Sequence, residues 1–514
     1  MTAAAEGPAL SMGPTTAWAG VQRRVRSLVP LPLRRADLAL FRAVARTEVP
    51  VLDTVLPRLS RAANHSRLWM GIAAVSAATG GRFGRRAATR GLLAVAATSA
   101  LTNLPAKLLT GRTRPDLAVV PEVRRLARVP ASTSFPSGHS ASAFAFATGA
   151  SLEDPRLRLP LLTLATGVAT SRVYTGVHYP GDVLVGSAIG VAVARATTRP
   201  WPLADPRPAT GAPITSEDAL VGPTGEGLVV VHNAEAGGRS ASAAVDEVLR
   251  AFPAAASVEV GPDQDLLAAL RRAARDARVL CVAGGDGTVS AGATVAAESG
   301  VPLAIVPAGT LNHLAKDLGL EGPEATIHAV GADSAIRADL GEVDGRVFVN
   351  AASLGSYPHL VVDRERLEPR VGKWPAALWG IVRMLRTARP EDVEIDGQPR
   401  RIWLLFVGNC RFRGDGVPAT RRTRLDDGTF DVRVLDAAPR WARTRITLAL
   451  LTGRVGRCRA YERRAATEVH VRSHGGPLQL VTDGEAWRGA DEVVFRKRPA
   501  ALHIVQPLQD DAGA

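Results

Sequence analysis

The chain has 514 residues, a formal net charge of +14 and only 4% aromatic residues. That length predicts roughly two to four domains, and the basic balance suits anionic lipid or small phosphate-bearing substrates. Aromatics this sparse, with no nucleic-acid motif, argue against a nucleic-acid partner; three dispersed cysteines, Cys281, Cys410 and Cys458, argue against a disulfide framework or a zinc site.

Residues 1–60 read as a basic, helical N-terminal segment. Arg23, Arg24 and Arg26 run into the proline-broken LVPLPLRRADLAL, which lacks the apolar core and cleavage site of a secretory signal. Residues 61–199 hold five Ala-rich apolar runs: LWMGIAAVSAATGG (68–81), GLLAVAATSALTNLPAKLL (91–109), SASAFAFATGASL (140–152), LPLLTLATGVATS (159–171) and VLVGSAIGVAVARATT (183–198). Most are shorter than the ~20 residues that cross a bilayer. Buried helices of a soluble bundle would also give such runs, but their number and low charge favour a compact membrane bundle.

Residues 200–226 are rich in Pro and Gly without periodicity, and read as a linker. From 227 to 340 short β-type runs alternate with amphipathic helices, the pattern of a parallel α/β sheet. From 341 to 507 the runs are mostly strands, among them GRVFVNAA, DVEIDG, RIWLLFVGN, TFDVRVL, EVHVRS, LQLVTDG and LHIVQP, which predict a β-sandwich-like subdomain. Residues 508–514 form a tail. The expected fold is multidomain: an N-terminal all-α membrane helical bundle, then an α/β nucleotide-binding domain followed by a β-sandwich subdomain.

Three polar clusters stand out in the helical half: KLLTGRTRP (107–115), SFPSGHS (134–140) and SRVYTGVHYPGD (171–182). Lys107, Arg112, Arg114 and Arg172 can neutralise a phosphoryl group. Ser137 and the amides around Gly138 open an apolar run, where helix N-terminal N–H groups favour an anion, although a Ser there is also an ordinary cap. His139 and His178 can divide the roles of proton donor and nucleophile, with Asp182 one helical turn beyond His178 to orient it. The spacing of Lys107 with Arg114-Pro115, then Pro136-Ser137-Gly138-His139, then Ser171-Arg172 with His178 and Asp182, resembles the type 2 phosphatidic acid phosphatase (PAP2) superfamily. The resemblance implies hydrolysis of a phosphomonoester or pyrophosphate through a phosphohistidine, with no cofactor. His178 would attack phosphorus, Asp182 hold its tautomer, and His139 protonate the leaving oxygen. Lys107, Arg114, Ser137, Gly138 and Arg172 would stabilise the developing charge. Vanadium haloperoxidases share that fold but are generally soluble, so the apolar runs favour the lipid phosphatase.

In the second half, VLCVAGGDGTVS (279–290) is a strand feeding a Gly-rich turn and a helix, where backbone amides can approach phosphate. A tight βα turn alone would look similar, and no Walker Gly-Lys-Ser/Thr follows. With HNAEAGG (232–238), PAGTLNHLAKDLGL (307–320), DDGTFDVRVL (426–435) and VTDGEAW (481–487), it resembles the diacylglycerol kinase catalytic domain of bacterial lipid kinases and sphingosine kinases over about 227–507. The resemblance implies an ATP site at Asn233, Gly284, Gly285, Asp286, Gly287, Thr288 and Thr310, with Mg2+ nearby. It makes Glu485 the general base for a lipid hydroxyl, and Asp427 and Asp431 members of a structural or metal-linked acidic cluster. The chain departs from the family pattern at His313, where many members carry an acid, and at HNAEAGG. An NAD kinase shares the GGDGT turn and is the alternative for this half. WPAALWGIVRMLRTARP (374–390) is either an interfacial membrane helix or one packed on the sandwich, and the basic stretch 440–464 is either lipid-facing or a solvated helix.

Together these readings predict a bifunctional enzyme of membrane lipids with ATP as the second substrate; the alternative is that one half is a regulatory or binding module. ATP places the kinase in the cytoplasm, and up-down parity of the apolar runs then places the phosphatase cleft on the extracytoplasmic face. The arginines of GGRFGRRAATR (80–90) fall on the kinase side, as positive-inside expects, whereas Arg124, Arg125 and Arg128 fall on the other.

Overall fold

The structure is a computed structural model that describes residues 30–102, 112–126, 132–201, 203, 207–214, 219–233, 238–309, 312–355, 389–414 and 421–507. The chain divides into two compact units, residues 1–204 and 205–514, and each is described by itself.

The first unit is helical. It contains α1 (Leu31–Arg46), α2 (Pro50–Ala62), α3 (Arg67–Thr79), α4 (Gly81–Leu101), α5 (Gly138–Glu153), α6 (Arg158–Tyr174) and α7 (Pro180–Ala196). Prolines stand in the first turns of α1, α2 and α7, where no N–H is missed and φ is already helical. Ser137 caps α5, its hydroxyl accepting from the Ser140 amide. The five apolar runs correspond to α3 to α7, and the end of the 91–109 run lies partly outside the described residues. Among the described residues no helix is long and apolar enough to cross a membrane. The two helices before residue 63 belong to this same unit and are not a separate segment.

The core of this unit gathers Trp69, Phe146, Leu161 and Val168, with Trp69 only 1% exposed and its ring 5.3 Å from Phe146. The apolar side chains on the outside are as informative. Among the described residues, every exposed large hydrophobic except Leu267, Trp441 and Leu448 belongs to this unit, Met70, Val75, Leu92, Leu93, Leu159 and Leu184 among them. α7 approaches α5 through Gly186 and Gly190. A Cβ at Gly190 would lie 2.2 Å from the Ala141 carbonyl oxygen, and one at Gly186 2.5 Å from that of Ser137. This small-xxx-small pair seats α7 directly on the Ser137 cap.

The second unit begins with parallel strands β2 (Leu228–Asn233), β3 (Ala256–Val260), β4 (Val279–Gly284) and β5 (Leu303–Pro307) in the order β5-β4-β2-β3, after a short β1 (Pro213–Ile214). Helices α8 (Gly238–Ala251), α9 (Leu266–Asp276) and α10 (Asp286–Ser299) make the crossovers, and α11 (His313–Asp317) and α12 (Pro323–Gly331) follow β5. Both faces of this sheet are covered. Val229, Val231, Leu280 and Val282 enter one core cluster, while Leu228, Val230, Val279 and Cys281 enter another. Hence the runs are continuously apolar instead of alternating.

The strand-rich part follows as β6 (Ala335–Val343), β7 (Arg346–Phe348), β8 (Ala351–Gly355), β9 (Glu391–Ile395), β10 (Gln398–Asn409) and β11 (Phe430–Asp436). After α13 (Ala442–Thr452) come β12 (Tyr461–Ala466), β13 (Glu468–Ser473), β14 (Gln479–Thr482), β15 (Glu485–Arg488) and β16 (Glu492–Val505). Its own core is built from Val393, Ile402, Val407, Phe430, Val471 and Phe495. β16 joins the two parts: it pairs antiparallel with β13 and β6, and parallel with β5 at Ile504 opposite Leu303.

Three expectations change here. β6 crosses the boundary placed at residue 340, and β16 returns to the α/β sheet, so the two subdomains share one continuous sheet. The expected linker is in part structured: Pro213 and Ile214 pair with Ile336 and Ala335, and Ala209 is 1% exposed, its amide donating to the Asp317 carbonyl. Proline tolerates this because β1 is an edge strand. The basic stretch 440–464 is a short helix followed by strand β12, paired with β11. Residues 374–388 lie outside the described residues.

The seating of α7 gives a first test. Gly190→Leu should force the α5–α7 contact apart, cost about 1–3 kcal/mol as overpacking does, and lower the melting temperature of the helical unit. A variant melting like the parent would remove that contact from the account.

Candidate active sites

The fold brings the three polar clusters of the helical unit to one end. His178, 3% exposed, lies in the loop between α6 and α7; its amide and that of Val177 both donate to the Arg172 carbonyl at 3.2 Å. Its Nε2 is 3.4 Å from Arg114 Nη1, and its Nδ1 is 3.6 Å from Asp182 Oδ2. At that distance Nδ1 makes no hydrogen bond among the described residues, so the pair is aligned but not closed. Arg114 is anchored from behind, donating to the carbonyls of Val177 at 2.6 Å and Ser132 at 3.0 Å. Arg172, 1% exposed, donates through Nη1 to the buried Ser60 hydroxyl, and its Nε has no partner among the described residues.

The cap of α5 is held against α7 by the Ser137 amide, which donates to the Asp182 carbonyl at 3.0 Å. Gly138 and His139 are the first two residues of α5, and the first N–H groups of a helix have no intrahelical acceptor. His139 Nε2 is 2.8 Å from Asn64 Oδ1. Asp182 accepts from the Tyr179 amide at 3.0 Å and from Arg112 Nη1 at 2.7 Å. His139, His178, Asp182, Arg114, Ser137, Gly138 and Arg172 thus stand at one end of the bundle; Lys107 lies outside the described residues. Arg112 turns instead to Asp182 and Asp37. Sequence reading missed Asp37, Ser60 and Asn64, all from the N-terminal helices and the turn after them.

Burial is the main influence on His178 and pushes its pKa down to about 4, Arg172 and Arg114 adding to the effect against the opposing carboxylate of Asp182. The ring is therefore neutral at pH 7, with a lone pair available beside two guanidinium groups.

In the second unit the GGDG turn closes β4 and opens α10. Gly284 packs on the Thr288 side chain, where a Cβ would meet it at 2.6 Å, and a Cβ at Gly309 would lie 2.5 Å from Gly285 Cα, so the two loops touch backbone to backbone at Gly285 and Gly309. Asp286 Oδ1 accepts from the His313 amide at 2.6 Å, and Asn312, in a left-handed conformation (φ 46°), donates to the Gly309 carbonyl at 2.8 Å. Glu485 Oε1 comes within 3.1 Å of where a Gly287 Cβ would be, so the expected base faces the Gly-rich turn. Asp483, two residues before it, accepts from the amides of Val349, Asn350 and Ala351 at 2.7, 2.8 and 3.1 Å and from the Ser290 hydroxyl at 2.8 Å. Burial pushes the Asp483 pKa up against these donors, which tie α10 to the turn carrying Glu485. Thr310 and the side chain of Asn233 lie outside the described residues.

The expected acidic cluster divides. Asp431 is 1% exposed and engaged by Arg433 at 2.7 Å, by Arg463 at 2.8 Å and by the Phe412 amide. Asp427 lies with Asp339 and Cys410, whose ligand atoms fall within 4.8 Å of one another. Lys497 Nζ already sits there, 3.2 Å from both Asp339 Oδ2 and Cys410 Sγ, so this group does not fit a dedicated divalent ion. Asp286, beside the Gly-rich turn, fits better, because Mg2+ in kinase sites needs only one or two carboxylates with the substrate phosphates.

Family models match the PAP2 superfamily over residues 88–203, the diacylglycerol kinase catalytic domain over 227–343 and the YegS C-terminal NAD kinase beta sandwich-like domain over 358–506. A probable lipid kinase YegS-like protein of Pseudomonas syringae pv. syringae is 33% identical over 238 residues, 45% of this chain and 76% of that one. The chain belongs to the YegS-like lipid kinase family. This lipid kinase half follows a PAP2-superfamily segment. A diacylglycerol kinase of Bacillus subtilis is 28% identical over 254 residues, 47% of this chain and 82% of its own. A solved transmembrane PAP2 type phosphatidylglycerolphosphate phosphatase, also from Bacillus subtilis, aligns at 22% identity over 35% of this chain and 92% of its own, with a TM-score of 0.28. Asp37, Ser60 and Asn64 all lie before the segment that the PAP2 family model matches.

The depressed pKa sets a pH test. A nucleophilic role for His178 would require the unprotonated ring, so any phosphate release that depends on it should hold its plateau as pH falls and show an acid limb near 4 instead of 6.5. Between those values the unfolded chain binds the proton first, so His178 costs the fold stability as pH falls from 6.5 toward 4. An acid limb in kcat/KM near 6.5 would contradict the buried, cation-flanked ring.

Proposed function

We propose that this chain is a two-activity membrane lipid enzyme, a phosphatase of lipid phosphates or pyrophosphates joined to an ATP-dependent lipid kinase. The observation that carries the first activity is the His178 ring, aligned between the Asp182 carboxylate and the Arg114 guanidinium. In this reading Nε2 attacks phosphorus, the bond to the lipid oxygen breaks, and His139 gives that oxygen its proton. Water then attacks the phosphohistidine, its proton passing to His139, and phosphate leaves with His178 restored. Arg114, Arg172, Lys107 and the first-turn amides of α5 stabilise the charge on the non-bridging oxygens.

For the kinase, the amides and small residues of 284–288 and 309–310 receive the ATP phosphates, and Asp286 would hold Mg2+ with them. When bound, the ion neutralises phosphate charge. Glu485 takes the proton of a lipid hydroxyl, whose oxygen attacks the γ-phosphorus while ADP departs.

Several features support a membrane setting. Exposed apolar side chains concentrate in the helical unit. Helix α1 presents Leu31, Leu33, Leu38 and Leu40 beside Arg34, Arg35 and Arg42 near the catalytic end, a combination suited to an anionic interface. α5 runs from His139 to Glu153, and α7 from the site to the far end, where Arg86 and Arg90 pair with Glu153 and Arg90 donates to the Trp201 carbonyl. The chain thus leaves this unit opposite its cleft, which supports a kinase in the cytoplasm and a cleft on the extracytoplasmic face. Arg124, which counted against that topology, is 1% exposed and spent on Asp53 and the carbonyls of Ala45 and Thr47.

Two measurements test the proposal. His178→Ala should release no phosphate from phosphatidic acid yet retain transfer of labelled phosphate from ATP to diacylglycerol, and Glu485→Gln should show the reverse loss, by roughly 100-fold or more; variants that lose neither activity, or always both, reject the assignment. Val123→Cys, at a position 66% exposed, should react with a membrane-impermeant maleimide on intact cells, and reaction only after lysis would invert the topology.

A further inference from the structure

Arg112 was expected at the phosphate, and its actual placement carries a different role. Its Nη1 lies 2.7 Å from Asp182 Oδ1 and its Nη2 2.6 Å from Asp37 Oδ2, with the guanidinium 4.1 Å over the Tyr179 ring. The other Asp37 oxygen accepts from the Gly181 amide at 2.7 Å. A Cβ at Gly181 would come 3.0 Å from Asp37 Oδ2, so a glycine there lets this carboxylate lie close against the start of α7. Tyr179, whose amide binds Asp182, also packs edge-on against Phe41 of α1 at 5.6 Å. Behind His178 the line Asp182, Arg112, Asp37 is therefore continuous, and it starts on a helix outside residues 88–203.

We propose that Asp37 and Arg112 are positioning residues of the phosphatase site, which together fix the net charge that Asp182 presents to His178. The inference rests on the phosphatase reading above. Attack on phosphorus turns the neutral ring into a cation, so the group behind it has to be anionic. Arg112 alone would cancel the charge of Asp182. With Asp37 on its other side the triplet carries a net single negative charge, and Arg112 can orient the carboxylate without silencing it. The other charged groups facing His178 are Arg114 and Arg172, both cationic, so the ring has no other anion to draw on among the described residues.

This arithmetic gives signs that a merely structural role would not. Asp37→Asn leaves the triplet neutral, so the acid limb of phosphate release moves to lower pH and kcat falls roughly tenfold with KM little changed. Arg112→Gln leaves two negative charges, so the limb moves to higher pH by about half a unit or more. The double variant Asp37→Asn/Arg112→Gln restores a single negative charge and returns the limb toward that of the parent.

The experiment measures kcat/KM against pH for the full chain and the three variants in detergent micelles containing phosphatidic acid, with thermal melting of each. Opposite shifts in the two single variants and return in the double support the proposal. Shifts of the same sign, no shift in either, or a double variant displaced as far as a single one overturn it. If one single variant melts before assay, the direction given by the other decides. A parent chain that releases no more phosphate than His178→Ala refutes the phosphatase reading itself; an active parent with unmoved variants refutes only the role of Asp37 and Arg112.

Discussion

A guanidinium taken out of water has to be matched, because an unpaired buried charge costs several kcal/mol or more, and this requirement decides which distant parts of the sequence meet. Arg90 reaches from α4 to Glu153 at the end of α5; Arg124 reaches from a loop to Asp53 of α2; Arg172 reaches from α6 to Ser60. The same rule operates in the second unit, where Arg422 engages Asp317 across more than a hundred residues and donates to the Val349 carbonyl, and Asp431 satisfies Arg433 and Arg463. Ala-rich helices offer little bulk with which to fix their relative rotation. Paired charges at both ends of the bundle supply that register instead.

At the end of the helical unit that gathers His178, Arg114 and Arg172 the rule takes a different form. Arg114 and Arg172 are held by backbone carbonyls and a hydroxyl, not by carboxylates, so their charge is not cancelled locally. In the proposed reaction a dianionic phosphoryl group would supply the missing negative charge. Arg112, two positions away in sequence, is instead paired with two carboxylates. Two arginines two positions apart thus have different partners, Arg114 backbone carbonyls beside His178 and Arg112 carboxylates of α7 and α1.

How much of this could be read in the sequence follows from the range of the interactions. The five apolar runs and the βα alternation are local patterns, and the helices and parallel strands fall where those patterns put them. The described residues of the second and third PAP2 motifs meet because those clusters sit at helix ends, which are marked by Pro180, Ser137 and Gly138 themselves. Strand β12 was hidden because YERRAA carries four polar residues, and its pairing to β11 rests on the backbone. Asp37, Ser60 and Asn64 were hidden for another reason: each is an ordinary polar residue on an amphipathic helix or turn, and only tertiary packing shows that it faces a histidine or an arginine. Asp427 and Asp431, four residues apart in one motif, look equivalent in sequence. The strand pleat and the arginines around it give them different partners.

The kinase unit solves a related problem by backbone means. Glu485 stands near the Gly-rich turn although it is far from Gly287 in sequence, because it opens β15 directly after the two-residue turn Asp483-Gly484. What fixes that turn is Asp483, whose carboxylate gathers three consecutive amides leading into β8 and the Ser290 hydroxyl of α10. One side chain thereby links the strand-rich part to the helix that opens at the Gly-rich turn. The sharing of one sheet through β16 makes that link rigid, since β5 and β6 both pair with it. Asp483 is, by its donors, the joint between helix α10 of the α/β part and the strand-rich part of the unit.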